Sequence, residues 1–360
     1  MSVLGGLSLT EIEKILPHLT EAEKLHLLEE LTLLDKLKTR ETAQNNFIEF
    51  VKQIWPEYIH GAHFARMADA FERIANGTLK RLTISMPPRH GKSYMASYLF
   101  PAWYMGKFPN HKIMQASHTT DLAVGFGRQV RNLLDTPVYQ NIFPGVELRA
   151  DSKAAGRWNT NHNGDYNALG ALSAAAGKGA HLFIVDDPVS EQEALLAESN
   201  PDIYERVYEW FLTGPRQRMQ AGGAIIIVMT RWSKEDLVGK VLKAEAQRQN
   251  LEEGDPYSWE VIEFPAILNA NTPEERPLWP EMWSIEDMRR LRDEMPTKSW
   301  MAQYMQSPTS DVTAIIKREW WRKWEDPNPP KCESILMAWD TAFAITTRVD
   351  HTPCTRYGIY

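Results

Sequence analysis

Five short apolar runs recur along the chain: "RLTIS" (81–85), "KIMQAS" (112–117), "HLFIVD" (181–186), "AIIIVMT" (224–230) and "SWEVIEF" (258–264). Helical segments separate several of them. Strands this apolar are buried on both faces, and helices between them supply the crossovers of a parallel sheet. The pattern therefore predicts an α/β fold, with a parallel sheet flanked by helices. Three runs end in chemistry-bearing residues: Ser85 before a loop with Gly91-Lys92-Ser93, Asp186 before Asp187, and Thr230 before Arg231.

At roughly 100–200 residues per domain, 360 residues suggest two domains. Apolar content of 43% and charged content of 24% are ordinary for a globular protein. No apolar stretch approaches the ~20 residues of a membrane helix, so no membrane association is expected. The start, "MSVLGGLSLTEIEKILPHL", lacks a basic region and is not expected to be a signal peptide. Cys332 and Cys354 have no metal-site spacing and form no disulfide framework, so a reducing cytosolic setting is expected. The net charge of −7 argues against a chain coated in nucleic acid along one face, but leaves room for a local basic groove.

The boundaries follow from composition. Residues 1–45 read as an N-terminal helical segment, with Thr20 and Glu23 making a capping box after Pro17. Residues 46–268 carry the sheet pattern, preceded by two helices that break near Pro56 and stop at Asn76-Gly77. Residues 269–331 read as a linker region, since "NANTPEERPLWPE" (269–281) is polar and proline-rich and "EDPNPPKCE" (325–333) prevents regular structure. Residues 332–360 then open something new with the strand "SILMAWD" (334–340).

"SMPPRHGKSYMAS" (85–97) reads as a phosphate-binding loop, of the form G-x-x-x-x-G-K-[ST], with Met86 where the first glycine belongs. That glycine only shapes the turn, and Pro87 and Pro88 can stiffen the turn instead. Strand, loop and helix follow in the order the motif needs. The backbone of Pro88, Arg89, His90 and Gly91 would cradle phosphate, Lys92 would reach the β- and γ-phosphates, and Ser93 would ligate Mg²⁺. Arg89 adds a planar donor fork. Asp186, 94 positions after Lys92 (186 − 92), would hold the metal, and Asp187 would act as general base toward water. Lys92 and the two acids are expected to flank one triphosphate pocket atop adjoining parallel strands. Thr230, 44 positions after Asp186 (230 − 186), can sense the γ-phosphate; Arg231 can touch phosphate or form an ion pair.

"PPRHGKS", "GKGAHLFIVDDP", "TRWSKEDLVGK" (230–240) and "AWDTAF" (338–343) occur in an order that resembles large terminase subunits of tailed double-stranded DNA bacteriophages, from about Asn46 to Tyr360. The resemblance implies a P-loop NTPase of the ASCE type: an ATP-driven motor that threads DNA into a procapsid through a portal protein. It implies a homo-oligomeric ring on that portal, a small terminase subunit as partner, and the host cytoplasm rather than the virion as location. By the same resemblance, Asp186 and Asp187 match the Walker B acids and Thr230 the coupling motif. Lys178 stands where a cation is offered to a neighbouring subunit's ATP; Arg128 and Arg131 are other candidates. His63 or Phe64 would pack on adenine. The family's C-terminal nuclease is RNase H-like, and Asp340 and Asp350 match two of its metal acids. Further acids would lie downstream, so this chain is expected to hold only the start of that domain and to lack endonuclease activity. Two other readings are open: a superfamily-two-like helicase or translocase, and a non-catalytic docking protein for portal or small subunit.

Overall fold

The structure, a computed structural model, describes residues 16–174, 179–248, 254–309, 333–339 and 354–359. Lys178, Asp340 and Asp350 fall outside these. Helix α1 (Glu21–Asn45) starts on the expected capping box: the Glu23 N–H donates to Thr20 Oγ1, and Glu23 Oε2 accepts from the Thr20 N–H at 2.8 Å. Asn46 ends α1 and caps α2 (Phe47–Ile54), where its Oδ1 accepts from the Glu49 N–H. Helix α3 (Ala62–Asn76) stops at Gly77, whose φ of 86° is left-handed and cheap only for glycine.

The sheet consists of β1 (Arg81–Ser85), β2 (Lys112–Ser117), β3 (Leu148–Ala154), β4 (Arg157–Thr160), β5 (Asp165–Gly170), β6 (Ala180–Asp186), β7 (Met219–Met229) and β8 (Trp259–Glu263). Their spatial order is β3-β4-β5-β2-β6-β7-β1-β8. From β5 to β8 every pairing is parallel; β3 and β4 add antiparallel pairings at one edge. The apolar runs split by alternation between two cores. Leu82, Ile84, Leu182, Ile184, Ile226 and Val228 face a core built with α2, α3 and α4 (Phe100–Lys107). Phe183, Val185, Ile225, Ile227 and Met229 face another, built with the helices Asp202–Thr213 and Leu237–Ala246. Burial on both faces is what makes these strands continuously apolar.

Two expectations change. The β3–β4 hairpin was not anticipated, because its polar strands lack an apolar run. The segment from 269 to 309 is no free linker: Leu278 and Trp279 are buried in the first core, and Trp300 lies in a third cluster with Ala266, Ile267 and Met288. Its backbone is tied in by the Ala266 N–H to the Tyr304 carbonyl (2.7 Å) and the Leu278 N–H to the Ala266 carbonyl (2.8 Å). A few large apolar side chains outweigh a polar, proline-rich average. The compact units divide at Ser310 and Asp311. In the second unit, Ser334–Trp339 pairs antiparallel with Cys354–Ile359.

Candidate nucleotide site

The loop after β1 is built by constraint. Met86 is fully buried, and its N–H donates to the Met229 carbonyl (3.1 Å), so it extends the pairing of β1 with β7. The position of the motif's first glycine thus carries a side chain packed into the core. Pro88 is half-buried and Arg89 is exposed at a φ of 60°. Gly91 has a φ of 87°, and a Cβ there would lie 2.7 Å from Phe64 Cζ. Both the dihedral and the close approach require glycine.

His63 lies elsewhere than expected. It is buried, packs on Phe64 (3.9 Å between ring centres), Phe264 and Trp279, and bonds the His90 carbonyl through Nε2 at 3.2 Å. A ring so enclosed has no face for adenine; it braces the loop from beneath. Burial pushes its pKa down to about 4. Phe64 is buried as well, beneath Gly91. The His90 ring is buried and donates through Nδ1 to the Pro88 carbonyl (2.8 Å).

Lys92 and Ser93 open a helix whose first turns, Tyr94–Leu99, are π-helical and run into α4. Lys92 Nζ lies 3.0 Å from Asp187 Oδ2. Ser93 Oγ donates to Asp186 Oδ1 at 3.0 Å, and Ser97 Oγ donates to Asp186 Oδ2 at 2.7 Å. Asp186 is 1% exposed. Burial, then the neighbouring Asp187 charge, push its carboxyl upward, against the pull of Lys92 and the two serines. Asp187 has a φ of 42°, and its Oδ1 accepts from the Thr230 N–H at 2.8 Å. The Thr230 hydroxyl donates to the Met86 carbonyl at 3.2 Å. Residues from the ends of three strands thus form one bonded cluster. The strands of Lys92 and the acids do not adjoin, however: β7 lies between β1 and β6, and Thr230 follows it.

Arg231 resolves to the ion-pair alternative. Its Nε sits 2.9 Å from Asp236 Oδ2, both side chains are buried, and Asp236 caps the helix Leu237–Ala246. Its N–H donates to Gln306 Oε1 (3.2 Å). Arg128 is exposed on α5 (Thr120–Leu134), and Arg131, on the same helix, donates to Asn132 Oδ1. Among the described residues, no group of three or more His, Cys, Asp or Glu gathers as a metal cluster. Ser93 and Asp186 supply two hard oxygens, which fits Mg²⁺, a cation that takes few protein ligands and completes its octahedron with water and phosphate oxygens. Sequence reasoning missed Ser97, which approaches Asp186 more closely than Ser93 does; its place four residues beyond Ser93 was the available signal.

The arrangement defines an α/β fold with a phosphate-loop-type charge cluster at the carboxyl ends of its strands. No protein-family model matches the chain, and no curated protein matches it. Its fold is similar to the ATPase domain of the large terminase of Thermus phage P74-26, at 15% identity and a TM-score of 0.43, over 72% of this chain and 97% of that one. A point mutant of that domain gives 15% identity and a TM-score of 0.44 over the same shares. Among the described residues no helix is long and apolar enough to cross a membrane.

Proposed function

We propose that this chain hydrolyses ATP as the motor subunit of a terminase-like machine that moves double-stranded DNA into a procapsid. The observation that carries the reading is the single cluster of Lys92, Ser93, Asp186, Asp187 and Thr230. The helix that opens at Lys92 presents its first N–H groups, which have no partner within the helix, to a phosphate. Lys92 turns from Asp187 to the β- and γ-phosphates of the entering nucleotide. Asp187, released from that ammonium, accepts the proton of the attacking water. Ser93 and Asp186 would hold Mg²⁺, which when bound would neutralise and orient the phosphate oxygens. Thr230 links both sides, with its N–H on the acid and its hydroxyl on the loop, so loss of the γ-phosphate reaches β7. Arg89 adds its donor fork to the phosphates from the loop itself, while Lys178, Arg128 and Arg131 are the candidates for a cation offered across a subunit boundary. DNA contacts fall mainly on backbone phosphates, since a motor is indifferent to sequence, and weaken steeply with salt. Portal protein and small terminase subunit complete the assembly.

The test is steady-state ATP turnover with and without linear duplex DNA. Wild type is expected to turn over faster with DNA, and Lys92→Ala to lose at least ~100-fold, the scale of removing one preorganised charge donor. Absence of turnover in wild type would leave only the docking role. Strand separation of a forked duplex would point to a helicase.

A further inference from the structure

Asp186 is enclosed, yet both its oxygens are filled. A carboxylate buried this deeply is held only where donors replace water. Ser93 supplies one donor from the phosphate loop, and that residue belongs to the site already described. The other comes from Ser97, in the π-helical turns that follow. Turns of this kind are frequent at functional sites. Ser97 is itself fixed: its carbonyl accepts from Gln115 Nε2 at 3.1 Å, and Gln115 Oε1 accepts from the Tyr166 hydroxyl at 2.7 Å. Ser97, Gln115 and Tyr166 are all 0% exposed. Tyr166 lies flat against Trp158, with ring centres 4.9 Å apart and planes 4° apart, and Trp158 Nε1 donates to the Gly127 carbonyl on α5 (3.0 Å). A closed polar chain thus runs from the acid of β6, through the helix that follows the phosphate loop, to β2 and β5.

We infer that Ser97 and Gln115 are positioning residues for a divalent cation: Ser97 fixes Asp186 Oδ2, and Gln115 fixes Ser97, so that Asp186 and Ser93 face the cation together. Ser93 spends its one proton on Asp186, which leaves its oxygen lone pairs for the metal. The inference rests on the nucleotide reading proposed above. A carboxylate allowed to rotate loses that joint geometry even though every metal-facing residue is still present, and partners of this outlying kind typically govern metal affinity by about 10–100-fold.

The experiment measures binding of a fluorescent ATP analogue to the full chain as a function of Mg²⁺, together with thermal midpoints. In Ser97→Ala the Mg²⁺ midpoint is expected to rise about 10–100-fold, while binding in EDTA is unchanged. Ser97→Thr, which keeps the hydroxyl, restores part of the affinity. Gln115→Met, similar in volume, shifts the midpoint less and in the same direction, and gives a second reading independent of residue 97. An unchanged Mg²⁺ midpoint in Ser97→Ala and Gln115→Met, with only a lower melting temperature, overturns the inference and leaves Ser97 as a packing residue. If wild type shows no Mg²⁺-dependent binding at all, the nucleotide reading falls, and this inference falls with it.

Discussion

Two ion pairs sit at opposite ends of the same sheet's strands, one at an edge strand and one among inner strands, and they are built differently. Near the strands' starting ends, Arg73 of α3 meets Glu260 of β8 through two parallel bonds of 2.7 and 2.5 Å, with a third to Asp69 at 2.8 Å. The Glu260 hydrogen bonds push the Arg73 pKa upward. At the finishing ends, Lys92 meets Asp187 in a single contact of 3.0 Å. A planar fork fixes orientation as well as charge, whereas an ammonium is a point charge that turns freely to another oxygen. The backbone agrees. Arg73 and Glu260 lie in regular helix and strand, while Arg89, Gly91 and Asp187 all have positive φ. Such dihedrals persist at non-glycine positions only where the surroundings over-determine them. One pair fastens a helix to an edge strand; on the proposed reading, the other holds a charge to be exchanged for a phosphate.

The contrast breaks most sharply at Asp187. Asp187→Asn should lower turnover by about 10²–10⁴-fold, the usual weight of a general base, while the thermal midpoint moves by no more than a few degrees. Large destabilisation with normal turnover would show the finishing-end pair to be a fastener like the other. An acid titration of stability comes next. Burial holds His63 at about 4, below its ordinary 6.5. The folded state therefore favours the neutral ring. Stability is complete above about pH 6.5 and falls as pH drops toward 4, by roughly 3 kcal/mol from this group. His90, His111 and His181 are shifted the same way, so His63→Asn should flatten part of the slope. Urea midpoints at pH 7 and 4.5 read this directly, and a variant with the wild-type slope would remove His63 from the account. The smallest effect belongs to Glu260→Gln. Loss of one charge from a partly exposed pair should cost about 1 kcal/mol in urea unfolding and leave ATP turnover unchanged; a fall in turnover would mean that the starting edge also serves the chemistry.

The parallel part of the fold was legible because burial on two faces writes itself as apolar runs: "RLTIS" and "KIMQAS" coincide with β1 and β2, and "HLFIVD" falls one residue inside β6. Thr20, Asn76 and Gly77 marked helix ends, because capping is local chemistry. The charge cluster was legible for a related reason: Asp186, Asp187 and Thr230 stand at strand ends, and Lys92 and Ser93 open the helix after the loop that follows β1. What escaped depends on the third dimension. Ser97 and Gln115 have no motif, and their meeting requires β2 to lie beside β6. The burial of His63, which leaves no face for adenine, depends on Trp279, more than two hundred positions away, and no local pattern announces that contact. The interposed β7 left no mark on either motif that it separates.

That interposition has a mechanical meaning. Thr230 continues an inner ribbon of the sheet, with its peptide nitrogen on Asp187 and its side chain on Met86. Any swing of the acid therefore tugs on a stiff member anchored by neighbours on both sides. On the proposed reading, an electrical event becomes a displacement at that residue, and a body clamped to the far end of the ribbon would receive a shove rather than a field.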